Sequence, residues 1–203
     1  MLGDRVRAHH RVLPSAPLMP AERRPSSALA DFVRSILDPR AWIGLLRIVH
    51  HYNYTHVRER RVLTLGTGVR LSPTVSLAKA ERIRIGDRSH VGDRCSLWAG
   101  PHRSRITIGA DTQLAPDVFV TAADYAMEPG RPMLEQPMTE ASIEIGDDVW
   151  IGTGVVIVAG VTIGDGAVVG AGSVVTRSIP PGAIAAGIPA KVLRMRDGSA
   201  PAA

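Results

Sequence analysis

The stretch IGDDVWIGTGVVIVAGVTIGDGAVVGAGSVVTRSIP, residues 145–180, divides into six consecutive hexads without a gap. A β-branched aliphatic residue opens every hexad, and glycine takes the second position in four of the six. A period of six fits neither the 3.6-residue repeat of an amphipathic helix nor the alternation of a half-buried strand. The pattern predicts a parallel β-helix, in which three hexads make one coil and stacked coils bury a continuous core. The opening residues are Ile145, Ile151, Ile157, Ile163, Val169 and Val175.

The hexad spacing continues upstream of this stretch with two interruptions. Two extra residues follow the third upstream hexad, and an insert of five, residues 101–105, follows the sixth. Nine upstream hexads and six downstream hexads make fifteen, which predicts five coils. Between residues 120 and 145 the register is lost, so residues 124–142 are predicted to leave the shaft as a protruding loop. The upstream hexads open with Leu65, Leu71, Leu77, Ile85, Val91, Leu97, Ile108, Leu114 and Val120.

The chain divides by charge into a basic N-terminal arm, residues 1–61, and a solenoid domain, residues 62–203. The arm holds 11 Arg against 5 Asp or Glu, whereas the whole chain has a net charge of +5. Such an arm is interpreted either as a solvated face or as a peripheral contact with an acidic membrane surface. Its arginines lack the interleaved aromatic residues of a single-strand binder, so no nucleic-acid partner is expected.

Two helices are predicted in the arm. The first covers residues 28–37 and ends at Asp38-Pro39, and the second runs from Arg40 to about Tyr54. Neither they nor any other segment has the run of about 18 apolar residues that predicts a membrane span. The N-terminus lacks the apolar stretch of a signal peptide. We therefore expect a cytoplasmic protein.

The C-terminal segment and the single cysteine also have predicted places. After Pro180 the chain is expected to turn back as a short strand or helix that closes the solenoid. Cys95 stands at the fifth position of a hexad, where small residues prevail, so we expect a core residue.

A family resemblance rests on three C-terminal motifs: IGDDVWIG (145–152), VVGAGSVVTRSIPPG (168–182) and AAGIPAKVLR (185–194). With these motifs, and with a similar upstream stretch at residues 106–121, the chain resembles the hexapeptide-repeat acyltransferases. It is most similar to their sugar O-acetyltransferases of the galactoside, maltose and nodulation-factor type. The resemblance covers about residues 62–196 and leaves out the arm.

The resemblance implies both an architecture and a reaction. It implies a left-handed β-helix and a homotrimer whose active sites lie between neighbouring subunits. The reaction it implies is the transfer of an acyl group, expected to be acetyl, from acetyl-CoA to a hydroxyl group of a glycan or glycolipid sugar. No metal is expected, because a carbonic anhydrase of the same solenoid type needs three converging histidines and the repeats offer only His90 and His102.

The resemblance also assigns binding residues. Trp150 is expected to line the acceptor and thioester end, and Ser96 stands where the sugar enzymes place an asparagine near the reaction centre. The pantetheine arm of acyl-CoA is expected to contact the backbone of two residues. Its adenosine and phosphates are expected to contact polar or cationic side chains. The assigned cofactor-binding residues are Thr153, Ala171, Thr176, Arg177, Lys191 and Arg194.

The catalytic base departs from the family pattern. The family has a histidine at the start of the long loop, and here that position holds Tyr125, preceded by Asp124. A free tyrosine has a pKa of about 10 and a histidine one of about 6.5, so tyrosine is the poorer base at neutral pH. Three candidates remain: Tyr125, Asp124 and His102, whose insert leaves the shaft one coil before the long loop and is expected to be able to meet it.

Two functions are therefore open. The first is a CoA-dependent O-acyltransferase, which the C-terminal motifs favour. The alternative is a trimeric CoA-groove binding or assembly protein that has lost catalysis, which Tyr125 in place of the family histidine favours. In that case Tyr125 is an aromatic lining of the cleft and His102 an exposed loop residue.

Overall fold

The computed structural model describes residues 28–200 of the chain. The chain divides into two compact units, Met1–Leu45 and Leu46–Ala203. The first 27 residues of the predicted arm and the last three residues of the chain lie outside the described part.

Two helices open the described part: α1 (Ala28–Leu37) and α2 (Pro39–Tyr52). Asp38 separates them, as predicted, and its side chain accepts the backbone N–H of Arg40 at 2.8 Å. This cap starts α2 at a proline, which has no N–H to leave unsatisfied. No residue of either helix is buried. Among residues 28–200 no helix is both long and apolar enough to cross a membrane.

The segment after α2 packs on the first coil of the solenoid. It forms a π-helical turn, Asn53–Arg58, and a 3-10 turn, Glu59–Arg61. The Glu59 carboxylate accepts the backbone N–H of Ala80 at 2.9 Å, and both turns contact the third strand of the first coil.

The solenoid contains five coils of three short strands, which confirms the fifteen predicted hexads. Coil 1 consists of β1 (Thr64–Leu65), β2 (Arg70–Leu71) and β3 (Ser76–Ala78). Coil 2 consists of β4 (Ile83–Ile85), β5 (His90–Val91) and β6 (Ser96–Trp98). Coil 3 consists of β7 (Ile106–Ile108), β8 (Gln113–Leu114) and β9 (Phe119–Thr121).

A hairpin separates coil 3 from the last two coils. Its strands are β10 (Ala123–Tyr125) and β11 (Met138–Glu140). Coil 4 consists of β12 (Ile143–Ile145), β13 (Trp150–Ile151) and β14 (Val156–Ile157). Coil 5 consists of β15 (Thr162–Ile163), β16 (Val168–Val169) and β17 (Val174–Val175). The closing segment contains β18 (Ala183–Gly187) and β19 (Ala190–Met195).

Parallel stacking of the coils produces three sheets, which we call faces A, B and C. The first strand of every coil lies on face A, the second on face B and the third on face C. The B–C corner joins the second and third strands of one coil. The C–A corner joins the third strand of one coil to the first strand of the next.

The core is the column of inward side chains that the hexads supply. Ile85, Ile108 and Ile145 follow one another in register on face A, each at most 2% exposed. Cys95 is fully buried, as predicted. Leu65 is 44% exposed, because coil 1 has no coil beneath it to complete its packing.

Glycine at the second hexad position is required by the close approach of successive coils. A Cβ added to Gly86 would lie 2.6 Å from the backbone nitrogen of Ala110, and one added to Gly109 would lie 2.2 Å from the Asp147 carboxylate. That carboxylate accepts the N–H of Ala110 at 2.6 Å. No other residue type fits between these turns.

The long excursion between coils 3 and 4 is more ordered than a loop. The sequence predicted a loop over residues 124–142, but β10 and β11 pair antiparallel at its base, with Ala123 opposite Glu140. The buried Gln136 amide donates to the carbonyls of Glu128 and Arg131, both at 2.9 Å, and so closes the tip.

The closing segment extends face B. β18 pairs parallel with β16 and antiparallel with β19. The predicted returning strand is thus confirmed, and the described chain has the expected order of helices, solenoid and closing hairpin.

Candidate active site

All three candidates for the base lie at the C–A corner. His102 belongs to the insert that follows β6, and Asp124 and Tyr125 belong to β10, which follows β9. Both excursions therefore leave the shaft at the same corner, one coil apart. Tyr125 is 49% exposed, and His102 and Asp124 are also exposed. Ser96 is half-buried on the outer side of face C, just before this corner.

Glu140 joins the insert to the hairpin. Its carboxylate accepts the backbone N–H groups of His102, Arg103 and Ser104 at 2.9, 2.7 and 2.8 Å. The Ser104 hydroxyl in turn accepts the N–H of Gly100 at 2.9 Å. The prediction that the two excursions meet is confirmed, and Glu140 is the residue that sequence reasoning missed.

The clamp changes the acidity of Glu140. Burial raises its pKa, but the backbone N–H groups of Ser104, Arg103 and His102 lower it, as does the Ser104 hydroxyl. These hydrogen bonds prevail, because they stabilise the charged form, and the pKa falls from 4.5 to about 2.

We expect the insert to stay clamped until the pH approaches 2. A carboxylate whose pKa is lowered in the folded state stabilises the insert fully above about pH 4.5. This stabilisation is lost as the pH falls through about 2. Hydrogen exchange of the amides of residues 102–104 measures this loss. Glu140→Gln is the control, with rapid exchange at every pH. Release of these amides with a midpoint near 4.5 would contradict the clamp.

The aromatic candidate Trp150 lies on a different face. It opens β13 on face B with its side chain outward and 54% exposed. The structure places it in one outward row with His90 and Gln113 on the two strands below. Trp98 is on face C, where its ring meets Phe119 edge-on at 4.9 Å between centroids.

The B–C corner of coils 4 and 5 is open to solvent. Thr153 and Ala171 are exposed at this corner, and the Thr153 hydroxyl donates to the carbonyl of Pro116 at 2.7 Å. Side chains added at the neighbouring Gly154 and Gly172 would meet nothing within 4 Å. The corner therefore presents backbone and small side chains to solvent.

The cationic candidates are distributed over two corners. Lys191 on β19 lies opposite Ala186, whose side chain approaches Gly170 at the B–C corner of coil 5. Arg194 lies opposite Ile184, further along the same hairpin. Thr176 and Arg177 follow β17 at the C–A corner and are exposed.

The candidates thus form two groups that one solenoid does not bring together. The C–A group lies on face C and at the C–A corner. The B–C group lies on face B and at the B–C corner. The C–A group consists of Ser96, His102, Asp124, Tyr125, Thr176 and Arg177. The B–C group consists of Trp150, Thr153, Ala171, Lys191 and Arg194.

Two observations concern metal binding and thiol chemistry. Within residues 28–200 there is no cluster of three His, Cys, Asp or Glu side chains that could hold a metal ion. Burial raises the pKa of the Cys95 thiol, so this cysteine is held as the neutral thiol in the core.

Comparison with known proteins finds acetyltransferases among the relatives of this chain. The family model "Bacterial transferase hexapeptide (six repeats)" matches residues 142–177. Galactoside O-acetyltransferase of Escherichia coli is 33% identical over 161 residues, which are 72% of this chain and 75% of that protein. Nodulation protein L of Rhizobium meliloti is 38% identical over 128 residues, 63% of this chain and 68% of that protein.

A solved structure extends the comparison to a ligand. A hexapeptide-repeat acetyltransferase of Vibrio cholerae, determined in complex with acetyl coenzyme A, is 32% identical to the chain with a TM-score of 0.60. The match covers 68% of this chain and 73% of that one.

Proposed function

The chain belongs to the hexapeptide-repeat acyltransferases, among which it resembles the sugar O-acetyltransferases, and from this premise we propose that it acetylates a saccharide hydroxyl with acetyl-CoA. The observation that carries the proposal is the open B–C corner of coils 4 and 5, where Thr153 and Ala171 are exposed and side chains added at Gly154 and Gly172 would meet nothing within 4 Å. Relatives of known structure bind acetyl-CoA or CoA, which supports the choice of donor.

The open B–C corner suits an extended acyl-CoA. A pantetheine arm is narrow and carries two amides, so it needs a path lined by backbone groups and small residues, such as Thr153 and Ala171. The phosphates need cations. Among the ion pairs of the described residues none includes Arg177, Lys191 or Arg194, so their charges are available to a ligand.

The base in this proposal is His102. Its neutral imidazole accepts the proton of the sugar hydroxyl as the hydroxyl oxygen attacks the thioester carbonyl carbon. A carbon–oxygen bond forms, the carbon–sulfur bond breaks, and the imidazolium returns the proton to the leaving CoA thiolate. The Glu140 clamp supports this assignment, because it holds the backbone of residue 102 beside the hairpin that carries Tyr125.

The proposed assembly is a homotrimer. Ser96 and Trp150 face outward from faces C and B, so one chain cannot direct both at a single substrate. A cyclic arrangement that sets the C–A group of one copy against the B–C group of the next completes three equal sites.

The donor half of the proposal predicts weaker CoA binding in two variants. Arg177→Ala and Lys191→Ala should each weaken CoA binding about ten- to a hundredfold, the expected loss for a charge-assisted contact to phosphate. Isothermal titration calorimetry measures this, and Arg61→Ala removes an exposed charge from outside both groups as the control. Unchanged CoA affinity in both variants would remove these residues from the site.

The acceptor half is tested by the chemistry of the product. Acetyl transfer to a saccharide that has hydroxyl groups and no amine should give an ester, which hydroxylamine cleaves. Acetylation of amino sugars alone, with a product that resists hydroxylamine, would contradict a hydroxyl acceptor.

The second candidate function is the binding protein without turnover. Tyr125 at the family's histidine position favours it. It predicts CoA binding with no acetyl transfer to any saccharide, and a gain of transfer in Tyr125→His.

A further inference from the structure

An arginine-lined cavity lies on face A beside the insert. Its volume is about 690 Å³, and its walls come from β1, β4, β7, the turn before β4 and the insert. The four arginines and single acidic residue of the lining give it four positive charges and one negative, a net +3 with histidine neutral. The charged lining residues are Glu81, Arg82, Arg84, Arg103 and Arg105.

The strand β4 holds one of these guanidinium groups in an open position. Arg84 points outward from the middle of β4 and is exposed, between Thr64 and Thr107 in register on the neighbouring strands. Their short side chains leave space above the sheet. Arg82 is held more firmly, because it donates to the carbonyl of Gly100 at 3.1 Å.

The insert adds two arginines on a fixed backbone. The N–H of Arg103 is bound by the Glu140 carboxylate at 2.7 Å, and the N–H of Arg105 by the Ser142 hydroxyl at 3.1 Å. Both hydrogen bonds use backbone atoms, so the two guanidinium groups remain free to bind a ligand.

Two carboxylates of the described residues lie at the cavity, Glu81 in its lining and Glu140 against the backbone of His102 and Arg103, but neither forms an ion pair with its arginines. None of the ion pairs found among residues 28–200 includes an arginine of the lining. On face A the next acidic position in register is Glu144, two strands from Arg84 and so roughly 10 Å away.

The chemistry of the lining selects a phosphoryl group. Guanidinium groups bind phosphate oxygens through paired N–H donors, and several of them on one surface repel each other until an anion is bound. A phosphate monoester brings up to two negative charges into the cavity and a diphosphate brings two or more, whereas a carboxylate brings one. The net charge of the lining therefore favours the phosphoryl group.

The cavity shares a residue with the proposed reaction centre. His102 lines the cavity and is also the proposed base. We propose that the cavity binds a phosphoryl group of the acceptor, so that the acceptor is a saccharide that carries a phosphate or diphosphate. This inference rests on the proposed function, because it extends the acceptor site of the same reaction.

Calorimetry with matched probes tests the proposal. Pyrophosphate and glucose 1-phosphate should bind to the wild-type protein, and glucose should bind much more weakly. Arg84→Ala and Arg103→Ala should weaken both anions about tenfold or more, and Arg61→Ala should not. These variants should fold, because Arg84 is exposed and Arg103 contacts Glu140 through its backbone.

Three results would overturn the proposal. The first is no binding of either anion at millimolar concentration. The second is an equal loss in Arg61→Ala, which would indicate attraction by overall charge. The third is a tenfold loss of CoA affinity in Arg84→Ala, which would assign the phosphoryl group to the donor.

Steady-state kinetics separates this inference from the proposed function. Arg84→Ala should raise KM for acetylation of glucose 1-phosphate about tenfold or more, toward the KM of glucose, whereas Arg61→Ala should leave it unchanged. Equal KM for the two acceptors in the wild-type protein would overturn the phosphoryl site while acetyl transfer itself persists.

Discussion

His102→Ala is expected to lower kcat for acetyl transfer by about 10²–10⁴-fold, the usual contribution of a general base. The affinity for CoA should not change, because His102 is not among the residues proposed to bind CoA. The variant should also keep the insert in place, since Glu140 holds residue 102 by its backbone N–H. A loss of kcat with an unchanged CoA dissociation constant is therefore the signature of a missing base.

Variants at the other two candidates decide between the assignments. Tyr125→Phe and Asp124→Asn should keep most of the activity, and Tyr125→His should keep or raise it, because it restores an imidazole at the position the family uses. A large loss in Tyr125→Phe, with His102→Ala unaffected, would contradict the assignment and identify an activated tyrosine or an essential hydrogen bond.

Mixed assemblies are expected to recover activity from two inactive variants. His102→Ala disables the C–A group, and Ala171→Trp places a large side chain at the B–C corner where acyl-CoA is proposed to bind. We assume that each site takes its C–A group from one subunit and its B–C group from the neighbouring subunit. After random mixing of the two variants, both groups are then intact in about a quarter of the sites. Activity should return from below about 1% to about a quarter of the wild-type value.

The result of mixing depends on where each site is built. If both groups acted within one chain, every site in the mixture would keep one defect and no activity would return. The wild-type protein should scatter light as three copies of the 21.7 kDa chain. A stable monomer at micromolar concentration would contradict the trimer.

The repeat made most of the fold predictable. Each hexad places one aliphatic side chain in the shaft, as Ile151 and Ile157 show, which are both fully buried. The position of each strand can therefore be predicted from its own six residues. The five-residue insert was also visible, because it interrupts a strict period. The hairpin was not, since β10 and β11 carry no six-residue repeat and are paired through their backbones.

The candidate site was only partly predictable, because its contacts are long-range. Glu140 meets His102 across 38 positions of sequence, and nothing near either residue indicates that contact. Arg84 and Arg103 share a cavity because stacked coils bring β4 and the insert together. The sequence motifs were enough to assign residues to CoA binding. That these residues lie in two separate groups became visible only from the face or corner of the solenoid that each one occupies.

Release of CoA thiol from acetyl-CoA tests most directly whether the protein transfers acetyl groups. Cys95 is the only cysteine and is fully buried, so the protein itself adds little to a thiol-reagent signal. Saturable thiol release that requires a saccharide, at about 1–10³ per second, is the predicted result. Thiol release that is no faster with any saccharide than without one, in a protein that still binds CoA, would contradict acetyl transfer.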